Sequence, residues 1–496
     1  MQAVVETATL VGVEAVPVEV QADVGSGLPS FSIVGLGDAA VMEARERVRS
    51  AIRASGLEFP NGRVTVNLAP APLRKHGTGF DLPIAVALLV ATRQLPADLA
   101  AGHAVVGELA LDGSVRAVDG LLAHALAASR RGLGLLGPAR GGPAVCGVPG
   151  VAYAGVERLG MLARGQFAVV TPPRTRAGMS GELELPDMAE VIGHAQAKRA
   201  LEIAAAGGHN VLMLGPPGSG KTMLARRLPG ILPPLEGEER VETALVHSVA
   251  GLDTRPALAG IRPFRAPHHT CSLAGLVGGG SPPRPGEVSL AHNGVLFLDE
   301  FAEFAPAALQ TLRQPMEDGS LTLVRAEARI RYPASFVLIA AMNPCPCGFQ
   351  GDTERRCSCS DTVVDRYRAR IGGPLMDRLD LMVRVDRVDP ERLLEAEPAA
   401  EASGSIRSRV LAARELARSR PATPNARLSG AGLLAACGLD RAARSSLTKT
   451  ARSCHLSGRA ITRLLRVART AADLDGCERV TEDHVMDAVA FRSWDR

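Results

Sequence analysis

Aromatic residues make up only 3% of the 496, with one Trp and three Tyr, so stacking of nucleobases on ring faces is excluded as a main grip on nucleic acid. No stretch approaches the roughly 18 to 20 uncharged apolar residues a membrane span requires, so no membrane partner is predicted. The start, Met1-Gln-Ala-Val-Val-Glu6, has neither a basic segment nor an apolar core, so no secretory leader is expected and the predicted location is cytoplasmic. Net charge is low as well. A formal +4 says little by itself about partners. Nine cysteines in such a compartment are expected to be mostly reduced.

What is present is a long chain of ordinary apolar and charged content, too long for one core and suited to two to four domains. Residues 1–165 alternate strand-like runs (Phe31–Val34, Val64–Leu68, Ala104–Leu109) with helical ones (Ala39–Ala54, Leu82–Thr92, Gly120–Arg130), which predicts an α/β domain. Residues 166–185 lack periodicity, carry Pro and Gly, and read as a linker. Residues 186–390 hold four apolar runs, Val211–Leu214, Val295–Leu298, Phe336–Ile339 and Leu381–Val385, expected as strands of a parallel sheet covered by helices. Residues 391–496 are helical in period throughout and predict a small lid, with helices near 405–418, 440–453, 457–474 and 482–491. Residues 401–470 hold fourteen Lys/Arg against three Asp/Glu, a surface that is either simply solvated or able to meet phosphates.

The chemistry is concentrated in the third of these segments. Gly215, Pro216, Pro217, Gly218, Ser219, Gly220, Lys221 and Thr222 form a complete G-x-x-x-x-G-K-[ST] loop between an apolar run and a helix expected near Met223. Glycines let successive N–H groups turn toward phosphate oxygens at a helix N-terminus, Lys221 reaches the β- and γ-phosphates, and the Thr222 hydroxyl holds Mg²⁺. ATP and Mg²⁺ are the predicted ligands. Asp299 and Glu300 end the run Val295–Leu298, where Asp299 is placed for Mg²⁺ and Glu300 for polarising the attacking water. Asn343 ends Phe336–Met342 and is expected beside the γ-phosphate. The 78 residues from Lys221 to Asp299 exceed one strand–helix–strand step, so an insertion is expected over Cys271–Ala291.

Phe264-Arg-Ala-Pro-His-His-Thr270, Leu276-Val-Gly-Gly-Gly280, Pro285–Gly294, Asn343-Pro-Cys-Pro-Cys-Gly348 and Gly373-Pro-Leu-Met-Asp-Arg-Leu-Asp380 resemble AAA+ ATPases of the magnesium-chelatase and MCM branch, and most closely the YifB/ComM family, over essentially the whole chain. The resemblance implies a central AAA+ domain, a helical lid, and a homo-oligomeric, hexameric ring with ATP between neighbours. It assigns Arg378 as the arginine finger, Arg370 as a weaker second candidate, and Arg459 as a sensor arginine. It also makes Cys271–Ala291 and Ser320–Tyr332 pore insertions, with Arg325, Arg329 and Arg331 placed to grip DNA phosphates.

Cys345, Cys347, Cys357 and Cys359 form C-x-C-x9-C-x-C, a set suited to tetrahedral Zn²⁺; reduced buried cysteines or a redox-labile pair remain alternatives. Residues 1–165 resemble the proteolytic (S5-like) domain of Lon-type proteases through Val106–Leu121. Gly79 stands at that family's serine position and Leu122 at its lysine position, so the Ser–Lys chemistry is expected to be absent. The reading that follows is an ATPase acting as a DNA helicase or branch-migration factor on single-stranded or branched DNA in uptake and recombination. The alternatives are a magnesium-chelatase ATPase subunit, although no D-x-S-x-S motif is present, or a chaperone-like AAA+ protein.

Overall fold

The computed structural model describes residues 1–145, 148–170, 185–324, 329–352, 354–389, 391, 400–420 and 424–492. Its N-terminal sheet begins with a hairpin not foreseen from the sequence, β1 (Gln2–Val11) and β2 (Glu14–Gly25), turning at Gly12 with φ +67°. Strands β3 (Ser30–Val34), β4 (Arg63–Ala69), β5 (His103–Val105), β6 (Gly134–Pro138), β7 (Tyr153–Val156) and β8 (Ala168–Val170) complete a mixed sheet in the order β8-β7-β6-β5-β1-β2-β4-β3. Helices α1 (Ala39–Ala54) and α2 (Asp81–Ala91) sit on it. Almost every residue of α2 is buried, as its uninterrupted apolar sequence requires. Two differences from the sequence reading have local causes. The run Ala104–Leu109 breaks at Gly107, which bonds to Gly79 and accepts the Leu82 N–H at the start of α2. The sheet also continues through β8 to Val170, into residues read as linker; 171–184 lie outside the described residues.

The central domain carries a second sheet of β9 (Val211–Leu214), β10 (Phe264–Arg265), β13 (Gly294–Leu298), β16 (Phe336–Met342) and β17 (Leu381–Arg384), all parallel, in the order β10-β13-β16-β9-β17. Alternation sends Val211, Met213 and Phe297 to a core shared with α4 (Ala195–Gly207), α5 (Lys221–Ile231) and the lid. Leu212, Leu296 and Leu338 face the opposite core. The insertion is a small hairpin, β11 (Gly278–Gly279) with β12 (Arg284–Pro285), flanked by the short helices α7 (Leu273–Val277) and α8 (Glu287–Leu290). A second hairpin pairs β14 (Ser320–Val324) with β15 (Arg329–Pro333).

The lid contains α10 (Ser403–Arg418), α11 (Gly430–Cys437), α12 (Arg441–Ser453), α13 (Gly458–Leu474) and α14 (Glu482–Ala490). Of these, α11 was not anticipated. The lid keeps much of its basic surface, with Arg407, Arg418, Arg427, Arg441, Arg444, Lys449, Arg452 and Arg459 exposed, while some of its arginines make internal ion pairs. Arg469 is fully buried against Asp473, Arg420 also meets Asp473, Arg409 meets Glu202, and Arg463 meets Asp377.

The N-terminal domain joins the central one through α3 (Leu121–Arg130) and α6 (Gly237–Val249). Leu122 is fully buried with Leu235, Ala244 and Ala257, while the N–H groups of Gly120 and Leu122 bond to the Ser248 carbonyl and hydroxyl. Ser248 thus satisfies donors that the start of a helix leaves open. An Asp119–Arg284 ion pair of 2.9 Å ties the same segment to the β11–β12 hairpin.

Candidate nucleotide site and sulfur cluster

The turn between β9 and α5 has the shape a phosphate cradle needs. Gly218 and Gly220 have φ of +76° and +86°, and a Cβ on Gly215 would lie 2.0 Å from the Val385 carbonyl oxygen. The first N–H groups of α5 have no carbonyl one turn back to receive them, so the loop and helix end together present donors to an anion. Lys221 is buried and donates to the carbonyls of Gly215 and Pro216, both at 2.8 Å, with Asn343 Oδ1 at 3.5 Å. Burial pushes its pKa down to about 8, opposed by the charge of Asp299. Ser219 is buried beneath Lys221, whereas Pro217 is exposed on the outside of the loop.

Adjacent strand ends bring the other groups in. Thr222 Oγ1 donates to Asp299 Oδ2 at 2.7 Å, and the Glu300 N–H donates to Asp299 Oδ1 at 2.9 Å. A hydroxyl and a carboxylate so close fit one Mg²⁺, with a triphosphate supplying its other oxygens. Asn343 enters one residue beyond β16, the central neighbour of both β9 and β13. Lys221, Thr222, Asp299 and Asn343 therefore meet in one place.

Glu300 stands at the rim with a left-handed backbone (φ +51°), and its Oε2 lies 2.7 Å from His269 Nδ1. His268 stacks beside His269 with ring centroids 4.2 Å apart. The sequence gives His269 no role, because the two-residue β10 is too short to signal which strand lies next to β13. Once it does, the residues following β10 must emerge beside Glu300.

The three expected arginines lie elsewhere. Arg378 pairs with Glu317 and donates to the Pro374 carbonyl; Arg370 pairs with Glu303 at 3.1 Å; Arg459 is exposed on the first turn of α13. Among the described residues none is bonded to Lys221, Asp299 or Glu300 of its own chain. Arg463, one turn beyond Arg459, instead ties the lid to the segment before β17 through Asp377 and the carbonyls of Met376 and Leu379. Arg329 and Arg331 point outward from β15, and Tyr332 bonds that hairpin to Pro283 in the insertion at 2.9 Å. Arg325 lies outside the described residues.

The four cysteines converge. Cys345, Cys347 and Cys357 place their Sγ atoms 3.3, 3.6 and 3.5 Å apart, and all four Sγ atoms, with that of Cys359, fall within 4.8 Å of one another. Four sulfurs at tetrahedral zinc distance would sit about 3.8 Å apart. The set fits that ion.

A nucleotide cradle on an all-parallel five-stranded sheet, roofed by a helical lid, defines a P-loop ATPase of the AAA+ class. Three family models match: magnesium chelatase, subunit ChlI, over residues 187–393; subunit ChlI of Mg-chelatase over 20–139; and magnesium chelatase, subunit ChlI C-terminal, over 400–492. The chain is 44% identical to YifB of Salmonella typhimurium, covering 100% of this chain and 97% of that protein. It is 40% identical to the competence protein ComM of Haemophilus influenzae, covering 99% and 97%. The magnesium-chelatase 38 kDa subunit of Cereibacter sphaeroides is 26% identical over 60% of this chain and 87% of its own length. The protein therefore belongs to the YifB/ComM family of magnesium-chelatase-like AAA+ ATPases, whose membership implies use of ATP and Mg²⁺. Among the described residues no helix is long and apolar enough to cross a membrane.

Proposed function

We propose that this chain is an ATP-hydrolysing motor that assembles as a hexameric ring and remodels single-stranded or branched DNA during uptake and recombination, in the manner of a helicase or branch-migration factor. The observation that carries the DNA reading is the arginine-bearing β14–β15 hairpin, whose Tyr332 hydroxyl bonds it to the Pro283 carbonyl of the neighbouring insertion. The relation to a competence protein over nearly the full length supports the same reading. A chelatase role has weaker support, since that likeness spans 60% of the chain at 26% identity.

In this reading the donors of the phosphate loop and Lys221 hold the phosphates of ATP, while Thr222 and Asp299 hold Mg²⁺, which would draw charge off the phosphate oxygens. Glu300 orients and polarises the attacking water, Asn343 hydrogen-bonds it or the γ-phosphate, and Arg378 stabilises the transferring group in the neighbouring protomer's site. Arg459 contacts nucleotide from the lid, and the four cysteines hold Zn²⁺. Peptide hydrolysis has no support: Gly79 offers no hydroxyl, and the position a base would need is Leu122, packed against the ATPase domain.

Two results are expected. Lys221 binds its proton less tightly in the free protein than it would against phosphates, so ATP binding must take up a proton once the pH passes about 8. Affinity should be flat below that value and weaken above it by up to about tenfold per pH unit. Titrations of Mg-ATP binding across that range check this, and affinity holding constant well into the alkaline range would contradict it. Separately, Arg329→Ala with Arg331→Ala should remove stimulation of turnover by single-stranded DNA and four-way junctions while basal turnover stays within about twofold. If neither DNA nor these substitutions alters turnover, whereas unfolded protein or a chelatase partner does, the DNA reading fails.

A further inference from the structure

The loop of residues 344–360 does more than bring four thiols together; it lies between the parts of the nucleotide site. Cys345 follows Asn343 by two residues and is fully buried. Three residues later the chain turns at Gly348 (φ +85°) against the phosphate loop, where a Cβ would come within 2.7 Å of Pro217 Cδ and 3.9 Å of Asn343 Cγ. The first cysteine pair is thus anchored to both the polar strand end and the outer wall of the cradle.

The second pair leads the other way. Ser360, next to Cys359, caps α9 (Asp361–Ala369), which delivers Arg370 to Glu303, three residues beyond Glu300, and runs on to Arg378. Between the pairs, the guanidinium groups of Arg355 and Arg387 lie over the Phe349 ring, 5.3 and 5.9 Å from its centroid, and Arg387 also meets Glu354 at 2.9 Å. These ties are surface contacts of small worth. Arg368 of α9 also donates to Gln350 Oε1 at 3.1 Å, so the sulfur cluster reinforces a polar tie between the loop and that helix.

We infer that Zn²⁺ on Cys345, Cys347, Cys357 and Cys359 is a strut of the ATPase site, fixing Asn343 and the phosphate-loop wall relative to the α9 segment that carries Arg370 and Arg378. This rests on the zinc reading given above. Zinc suits four thiolates, has no redox chemistry of its own and imposes tetrahedral geometry. The loop lies outside the hydrophobic cores apart from Cys345, so losing the metal slackens the catalytic geometry while the domains stay folded. The cradle's own donors remain, so nucleotide still binds. The strut acts on turnover.

The test uses the full-length protein, purified without added metal and then stripped with a thiol-competing chelator. Bound zinc, the Kd for ATP, kcat and the thermal midpoint are measured before and after. About one zinc per chain is expected, with kcat falling about tenfold or more on removal, Kd changing by less than about threefold, and kcat returning when Zn²⁺ is restored. Cys359→Ser should reproduce the stripped state, and Cys359→His, which still offers a zinc ligand, should keep most of the turnover. Protein that contains no zinc and turns over ATP normally overturns the metal reading. Protein that contains zinc, loses it, and keeps its kcat overturns the strut while leaving the metal in place. A rise in Kd and a drop in thermal midpoint to match the fall in kcat would make the metal a folding element only, and overturns the inference as well.

Discussion

Lys221→Ala protein should hydrolyse ATP at least about a thousandfold more slowly than the parent and bind it poorly, because the residue is both the buried cation of the cradle and the link between the loop and Asn343 at the end of β16. Lys221 is held by the carbonyls of Gly215 and Pro216, close to Asn343, so truncation also leaves those acceptors unpaired in a buried place. Glu300→Gln separates binding from chemistry. Its side chain is exposed at the rim and bonded to His269 rather than to the cradle, so nucleotide should bind with near-parental affinity while turnover collapses. Nucleotide affinity and single-turnover rates on the two variants distinguish the roles. A Glu300→Gln protein that turns over normally would remove Glu300 from the chemistry.

The parts of this site that were legible in the sequence are those encoded contiguously. The phosphate loop is a single string, and Asp299, Glu300 and Asn343 each follow a short, largely buried apolar run of the kind a central parallel strand needs. What escaped was tertiary. His269 reaches Glu300 only because a two-residue strand pairs with β13. Arg420, Arg463 and Arg409 cannot be told in the sequence from the exposed arginines around them, because their partners, Asp473, Asp377 and Glu202, come from another element. Leu122 looked merely like a missing lysine; in the fold it is an apolar contact between domains, worth about 2 kcal/mol of burial. The cysteine spacing left several readings open, and the distances between sulfurs narrow them.

Arg378 bears the largest claim about assembly. Its guanidinium is engaged with Glu317 and Pro374 at the protomer's own surface, and Arg463 of the lid braces the adjacent Asp377. Among the described residues its guanidinium is not bonded to its own Lys221, and an arginine finger delivered by a neighbour is worth about 10³ or more in turnover. Arg378→Ala is therefore expected to bind ATP and form rings yet to be nearly inactive, a loss as large as that of Lys221→Ala but by a different route. If the site is shared between protomers as proposed, the two defects lie on its opposite sides and should complement.

Mixing provides the most direct measurement. Lys221→Ala and Arg378→Ala proteins, each inactive alone, are combined in equal amounts under conditions where subunits exchange, and steady-state ATP turnover is followed. An intact site then forms wherever a protomer that keeps Lys221 faces one that keeps Arg378, and turnover should recover toward about a quarter of the parental value. Mixed rings as inactive as either parent variant would contradict a site shared between protomers.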